Sequence, residues 1–132
     1  MLLDMDAVGP LQIRVLHYLW DHGPSPVLAV HHSLNAENAA RSVKPMAYTT
    51  VLTVMRNLVR RKILAQVKDG RAHRFEPLVQ RQEYQRSMLR QTRQELFTGN
   101  ARALLGCLAQ DVELEPALRE RLQVLAEEPA PR

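Results

Sequence analysis

Apolar side chains recur at spacings of three and four along most of this 132-residue chain, and alternation takes over only between residues 63 and 77. That rhythm predicts helices interrupted by a single hairpin. Gly9-Pro10 opens the first helix, because the N–H that proline lacks would be unpaired in a first turn anyway. Ile13, Leu16, Leu19 and Trp20 are expected to face the core, and His22-Gly23-Pro24 ends the element. Ser25-Pro26 then reads as the start of a short second helix carrying Val27, Val30, His31 and Leu34. Residues 35–46 are expected to form a polar connection that holds Arg41 and Lys44 and closes on Pro45.

The third helix, at about residues 47–61, is the most informative segment. At one hundred degrees per residue, Val51, Met55 and Leu58 fall in one narrow arc with Val54 at its edge. Thr49, Thr53, Arg56 and Arg60 fall on the opposite side. A side-chain cap is missing at its start, since neither Met46 nor Ala47 can accept a backbone N–H. Two strand-like runs follow at residues 63–68 and 72–77, joined by Asp69-Gly70, a strong hairpin signal. Three helices and then a hairpin is the layout of a winged helix-turn-helix.

From Leu78 onward the chain becomes a charge-laced helix with an apolar stripe of Tyr84, Met88, Leu89, Leu96 and Phe97. Thr98-Gly99-Asn100 breaks it. Ala103, Leu104, Leu105, Cys107 and Leu108 mark a short apolar helix, and Leu114, Leu118, Leu122 and Leu125 stripe a last one before a frayed end. Three helices in so few residues cannot bury that much leucine alone, so association with a second copy is expected. The fold class is therefore mainly α. A winged helix-turn-helix at residues 1–78 precedes a three-helix dimerisation domain at residues 79–132.

Charge sharpens this division. The formal net charge of +4 lies wholly in residues 1–78, which hold ten Lys/Arg against six Asp/Glu, while residues 79–132 hold eight of each. Within residues 41–74, nine Lys/Arg face the single acid Asp69. Such a concentration is the electrostatic footprint of a polyanion partner. In a major groove, Arg can bond guanine O6 and N7, and a Thr methyl can pack on thymine. Thr49, Thr53 and Arg56 are therefore assigned to base edges, Arg60 to the backbone, and Tyr48 to the helix entrance. Arg41 and Lys44 are assigned to DNA contact from the connection, and Lys68, Arg71, His73 and Arg74 to phosphate contact or minor-groove entry from the hairpin. The plain alternative is a solvated amphipathic face with a charged turn.

Other chemistry finds little support. His31 and His32 point about a hundred degrees apart on a helix, and His17, His22 and His73 have no Cys or carboxylate at ligand spacing, so no metal is expected. No cofactor and no catalytic constellation is expected either, and Cys107 reads as a core thiol. The acidic N-terminal stretch does not resemble a leader, and no segment approaches the ~20 apolar residues of a membrane span. One cysteine agrees with a cytoplasmic location.

The chain resembles the penicillinase-repressor family, the BlaI/MecI/CopY type of bacterial transcriptional regulator, over roughly residues 8–127. The resemblance is carried by GPLQIRVLHYLW, AYTTVLTVMRNLVRRKIL, GRAHRFEP and LFTGNARALLGCL, in family order and spacing. It implies a homodimer whose winged helices bind a palindromic operator, often with TACA/TGTA half-sites, and block transcription. It implies that the three C-terminal helices intertwine to make the dimer. In one branch a membrane sensor of β-lactams triggers cleavage at an Asn-Phe bond, which implies a sensor or protease as inactivating partner. At that register this chain has Cys107-Leu108, and it also lacks the C-terminal CxC pairs of the copper-responsive branch. The expected function is a homodimeric, sequence-specific repressor that binds a double-stranded DNA operator and performs no catalysis. The competing readings are a winged-helix module that binds protein, and a nuclease-like hydrolase.

Overall fold

A computed structural model of the chain describes residues 9–129. The expectations of no leader at residues 1–8 and of a frayed end at 130–132 lie outside the described residues. Helices α1 (Pro10–His22), α2 (Val27–Ala40) and α3 (Tyr48–Arg60) lead into strands β1 (Leu64–Asp69) and β2 (Ala72–Pro77). Helices α4 (Arg81–Phe97), α5 (Ala101–Leu108) and α6 (Pro116–Glu127) follow. The winged-helix layout followed by a helical region is therefore the fold. Two compact units divide between Arg86 and Ser87, inside α4.

In the first unit, each helix contributes one apolar arc to a shared core. Val15, Leu16 and Leu19 come from α1, Val27, Val30 and Leu34 from α2, and Val51, Met55 and Leu58 from α3, all buried. Ile13 departs from expectation at 37% exposure, whereas Val15 is fully buried. The reason is angular: Val15, Leu16 and Leu19 span one arc, and Ile13 lies about a hundred degrees from its centre. Ile63, Leu64 and Phe75 close the core from the base of the hairpin. Ser25, in the turn between α1 and α2, pairs with Phe75 through both backbone bonds, at 3.1 and 2.9 Å. That bridge anchors the hairpin's base, while residues 66–74 extend beyond the core and are exposed.

The hairpin register pairs Asp69 with Ala72, so the turn residues are Gly70 and Arg71. Gly70 has φ +63, the conformation that a two-residue turn requires at its first position and that glycine adopts without strain.

One expectation is corrected here. Helix α2 is not short: it continues to Ala40, through residues expected to be connection. Ala36, Ala39 and Ala40 are strong helix formers. Asn38, in place of a loop role, is buried and hydrogen-bonded. Residues just after 78 pack within the first compact unit. Val79 is buried, Trp20 Nε1 donates to its carbonyl at 3.0 Å, and Tyr84 packs its ring 5.7 Å from that of Trp20. Tyr84, part of the apolar stripe expected at the association surface, is 6% exposed within the single chain.

In the second unit, Thr98 (φ 52) and Gly99 (φ 80) end α4 in left-handed conformations. Asn100 Oδ1 then caps α5 by accepting from the Ala103 N–H at 3.0 Å. Helices α5 and α6 cap one another across their hairpin. Arg119 Nε donates to Ala109 O at 3.0 Å, at the end of α5, and Arg102 Nε donates to Glu128 O at 2.6 Å, at the end of α6. Cations on C-terminal carbonyls satisfy orphan acceptors and oppose the helix dipole. Gly106 faces α6, where a Cβ would stand 3.5 Å from that of Ala126, in ordinary van der Waals contact. Cys107 is exposed, which corrects its assignment to a core.

Candidate nucleic-acid interface

Helix α3 separates its two faces as the wheel requires. Val51, Met55 and Leu58 are buried to zero exposure, while Thr49, Thr53, Arg56 and Arg60 are exposed. Leu52, Val54 and Val59 lie at the margins, half-buried. The apolar arc fixes the rotation of the helix about its axis, so the Thr/Arg stripe has nowhere to point but outward. Arg60 Nη2 donates to Asn57 Oδ1 one turn back, which holds that guanidinium along the helix.

The entrance of α3 has no side-chain cap, and side chains of α2 fix the backbone just before it instead. Asn35 of α2 grips the backbone of Met46 from both sides. Its Oδ1 accepts the Met46 N–H at 2.8 Å, and its Nδ2 donates to Met46 O at 3.0 Å. His31 Nε2 lies 2.9 Å from the same carbonyl, and the His31 ring meets Tyr48 edge-on at 5.8 Å. Tyr48, the first residue of α3, is thus braced on one side and 43% exposed on the other.

The connection before it is held just as firmly. Asn38 Nδ2 donates to Lys44 O at 3.0 Å, and the Val43 N–H donates to Asn38 O at 2.8 Å. Arg14 of α1 in turn holds α2, its Nη2 reaching Leu34 O, Glu37 Oε2 and Asn38 Oδ1 at 2.9–3.1 Å. Ser42 takes φ 56 to turn the chain out of α2. Arg41 and Lys44 remain exposed on this segment.

On the hairpin, Lys68, Arg71, His73 and Arg74 are all exposed. Lys68 stands opposite His73 in the register, and Arg74 opposite Val67. Arg74 Nε lies 3.1 Å from Asp69 Oδ2, an ion pair on the face away from Phe75. All eleven residues expected to meet nucleic acid are therefore at the surface of the first unit, on α3, the connection before it, and the hairpin.

Sequence reading missed the scaffold beneath them. Asn35, Asn38 and Arg14 lie off the exposed Thr/Arg stripe of α3, yet they hold the segment that leads into it. The available signal was the one-turn spacing of Asn35 and Asn38, which puts two amides on one side of a helix. It was hidden because asparagine is also a common loop residue.

The described residues contain no helix long and apolar enough to cross a membrane, and no group of three or more His, Cys, Asp or Glu arranged to hold a metal ion. The sequence model of the family described as "Penicillinase repressor" matches residues 8–128. The chain is also similar to proteins named "Transcriptional regulator BlaI" from two strains of Mycobacterium tuberculosis, CDC 1551 / Oshkosh and ATCC 25618 / H37Rv. Each is 36% identical over 80 residues, which is 60% of this chain and 54% of the relative. The chain thus spans about half the length of the curated relatives it matches. With a match over residues 8–128 that takes in both compact units, the chain belongs to the penicillinase repressor family.

Proposed function

We propose that this chain is a homodimeric, sequence-specific DNA-binding repressor of transcription, acting on a palindromic operator in the cytoplasm without catalysis. The observation that carries the reading is the orientation of α3, with its apolar arc wholly buried and Thr49, Thr53, Arg56 and Arg60 all outside. Thr49, Thr53 and Arg56 read base edges. Arg60, Tyr48, Arg41, Lys44 and the hairpin cations Lys68, Arg71, His73 and Arg74 hold phosphates. Phosphate contacts supply affinity at any sequence, and base contacts supply the preference.

Dimerisation is supported by how little the second unit buries. Among its described residues only Ala109 is buried, whereas Leu89, Leu96, Leu108, Leu118 and Leu125 are exposed and Met88, Phe97, Leu104, Leu105 and Leu122 are half-buried. Each leucine taken from water contributes about 1.5–3 kcal/mol, so a second copy covering this surface has a large driving force. Residues 1–78 form the reader, continued structurally by the first turns of α4, and the rest associates. Two readers related by a two-fold axis then match a two-fold symmetric site.

Selection by the purified full chain from a randomised duplex pool tests this directly. The expected product is a two-fold symmetric site bound by a dimer, with affinity that falls steeply as salt rises. Recovery of sequences no different from the input pool rejects the specific-repressor reading, and a monomer at the binding concentration rejects the dimer.

A further inference from the structure

The hairpin carries two acids, Glu76 near its base and Asp69 at its tip, and Asp69 works against the cations around it. Asp69 is the only acid among the nine cations of residues 41–74, and it sits at the tip, next to the Gly70-Arg71 turn. The register pairs Asp69 with Ala72 and Val67 with Arg74, so Asp69 and Arg74 share a face as diagonal neighbours. Their side chains meet at 3.1 Å between Nε and Oδ2, with half or more of each side chain exposed.

We propose that Asp69 is an internal competitor for the DNA phosphate, holding Arg74 when no duplex is bound and so limiting the sequence-independent affinity of the hairpin. The inference rests on the DNA-binding reading above. A carboxylate offers a guanidinium much the same paired acceptors as a phosphate does. While Asp69 occupies the Nε edge, that edge is closed to phosphate. An exposed pair of this kind is weak, so a duplex can displace it. The exchange nonetheless subtracts from binding, because the released carboxylate then lies beside the phosphate that replaced it. A repressor whose wing is partly self-neutralised is held less tightly by bulk DNA, and base contacts on α3 count for more of the difference between sites.

The test is a double-mutant cycle on the full chain. Asp69→Asn keeps the shape of the side chain and leaves the Gly70-Arg71 turn intact, so thermal melting should be unchanged. Binding of a random-sequence duplex should tighten by about three- to tenfold at low salt, and the gain should vanish in high salt. In an Arg74→Ala background, Asp69→Asn should produce no such gain, because the group it restrains is gone. An equal gain in both backgrounds would make Asp69 merely an ambient charge and overturn the proposal, as would no gain in either. A parent protein that shifts no duplex at all removes the DNA-binding reading itself, and the proposal with it.

Discussion

Trp20 Nε1 donates a hydrogen bond of 3.0 Å to the carbonyl of Val79, tying the first helix to the segment just before α4. The same indole lies 5.7 Å from the Tyr84 ring and has the Arg81 guanidinium over its face at 5.6 Å. Arg81 in turn pairs with Asp21 at the end of α1. Four side chains therefore tie the start of α4 to α1 within the first unit. Trp20→Phe keeps the ring packing but orphans the Val79 carbonyl. It should destabilise the first unit by about 1–3 kcal/mol, measured by urea unfolding followed by circular dichroism. A change within a few tenths of a kcal/mol would mean that water replaces the indole without loss.

The Asp21–Arg81 pair adds a pH dependence with a definite sign. A hydrogen bond from Arg81 is the main cause that holds the Asp21 carboxyl below its ordinary value of 3.8, against a smaller opposing effect of burial. A group whose folded value is depressed stabilises the fold above its unfolded value, and that contribution disappears as pH falls through the folded one. The chain should therefore lose this increment below about pH 4. Asp21→Asn should flatten that part of the acid limb in a melting-temperature series. An unchanged limb would show that the pair contributes nothing to folding.

How far these features were legible in the sequence depends on what each residue's neighbours are. The α3 faces were readable because one helix carries two incompatible residue sets, and only one rotation buries Val51, Met55 and Leu58 together. The hairpin was readable from a glycine that must turn, although the register places the turn at Gly70-Arg71 and leaves Asp69 in the strand. Ile13 and Val15 were not separable by spacing alone, because the centre of the α1 arc is set by what α2 and α3 offer. Tyr84 looked like part of a long apolar stripe, and only its partner Trp20, distant in sequence, shows which unit claims it. Cys107 lies in an apolar run yet faces outward, since α5 packs through Gly106 toward α6. The candidate interface was legible as chemistry, and the polar frame that positions it was not.

That frame gives the next expectation. Asn35→Ala removes both bonds to Met46 and leaves a backbone N–H and carbonyl less well satisfied at the entrance of α3. The cost to stability should be about 1–3 kcal/mol. Operator affinity should fall as well, although Asn35 is assigned no contact with DNA, because Tyr48 and Thr49 lose their fixed origin. Comparing affinity at a temperature where both proteins are fully folded separates the two effects. Full retention of affinity there would free Asn35 of any positioning role.

The exposed leucines of the second unit make a different kind of prediction. Leu125 is 47% exposed in the single chain, so Leu125→Glu should change the folding of one subunit by no more than about 0.5 kcal/mol. If a second copy covers that position, the dimer must bury a carboxylate in place of a leucine, and its dissociation constant should rise by at least about tenfold. Sedimentation equilibrium across a concentration series reads this directly. Unaltered association would place the contact surface elsewhere on the second unit.

Arg56 and Arg74 should respond to truncation in opposite ways. Arg56 lies on the exposed stripe of α3, in the part of the helix assigned to base edges. Arg56→Ala should cost about 1–3 kcal/mol on the preferred site and little on random duplex, so the preference at one base pair relaxes. Arg74 belongs to the hairpin, which is assigned to phosphate or the minor groove. Arg74→Ala should weaken both kinds of duplex alike and reduce the slope of log affinity against log salt by about one. Titrations on both duplexes at several salt concentrations distinguish the two. Equal weakening by Arg56→Ala on either duplex would make it a phosphate contact, and an unchanged slope for Arg74→Ala would remove the hairpin from the interface.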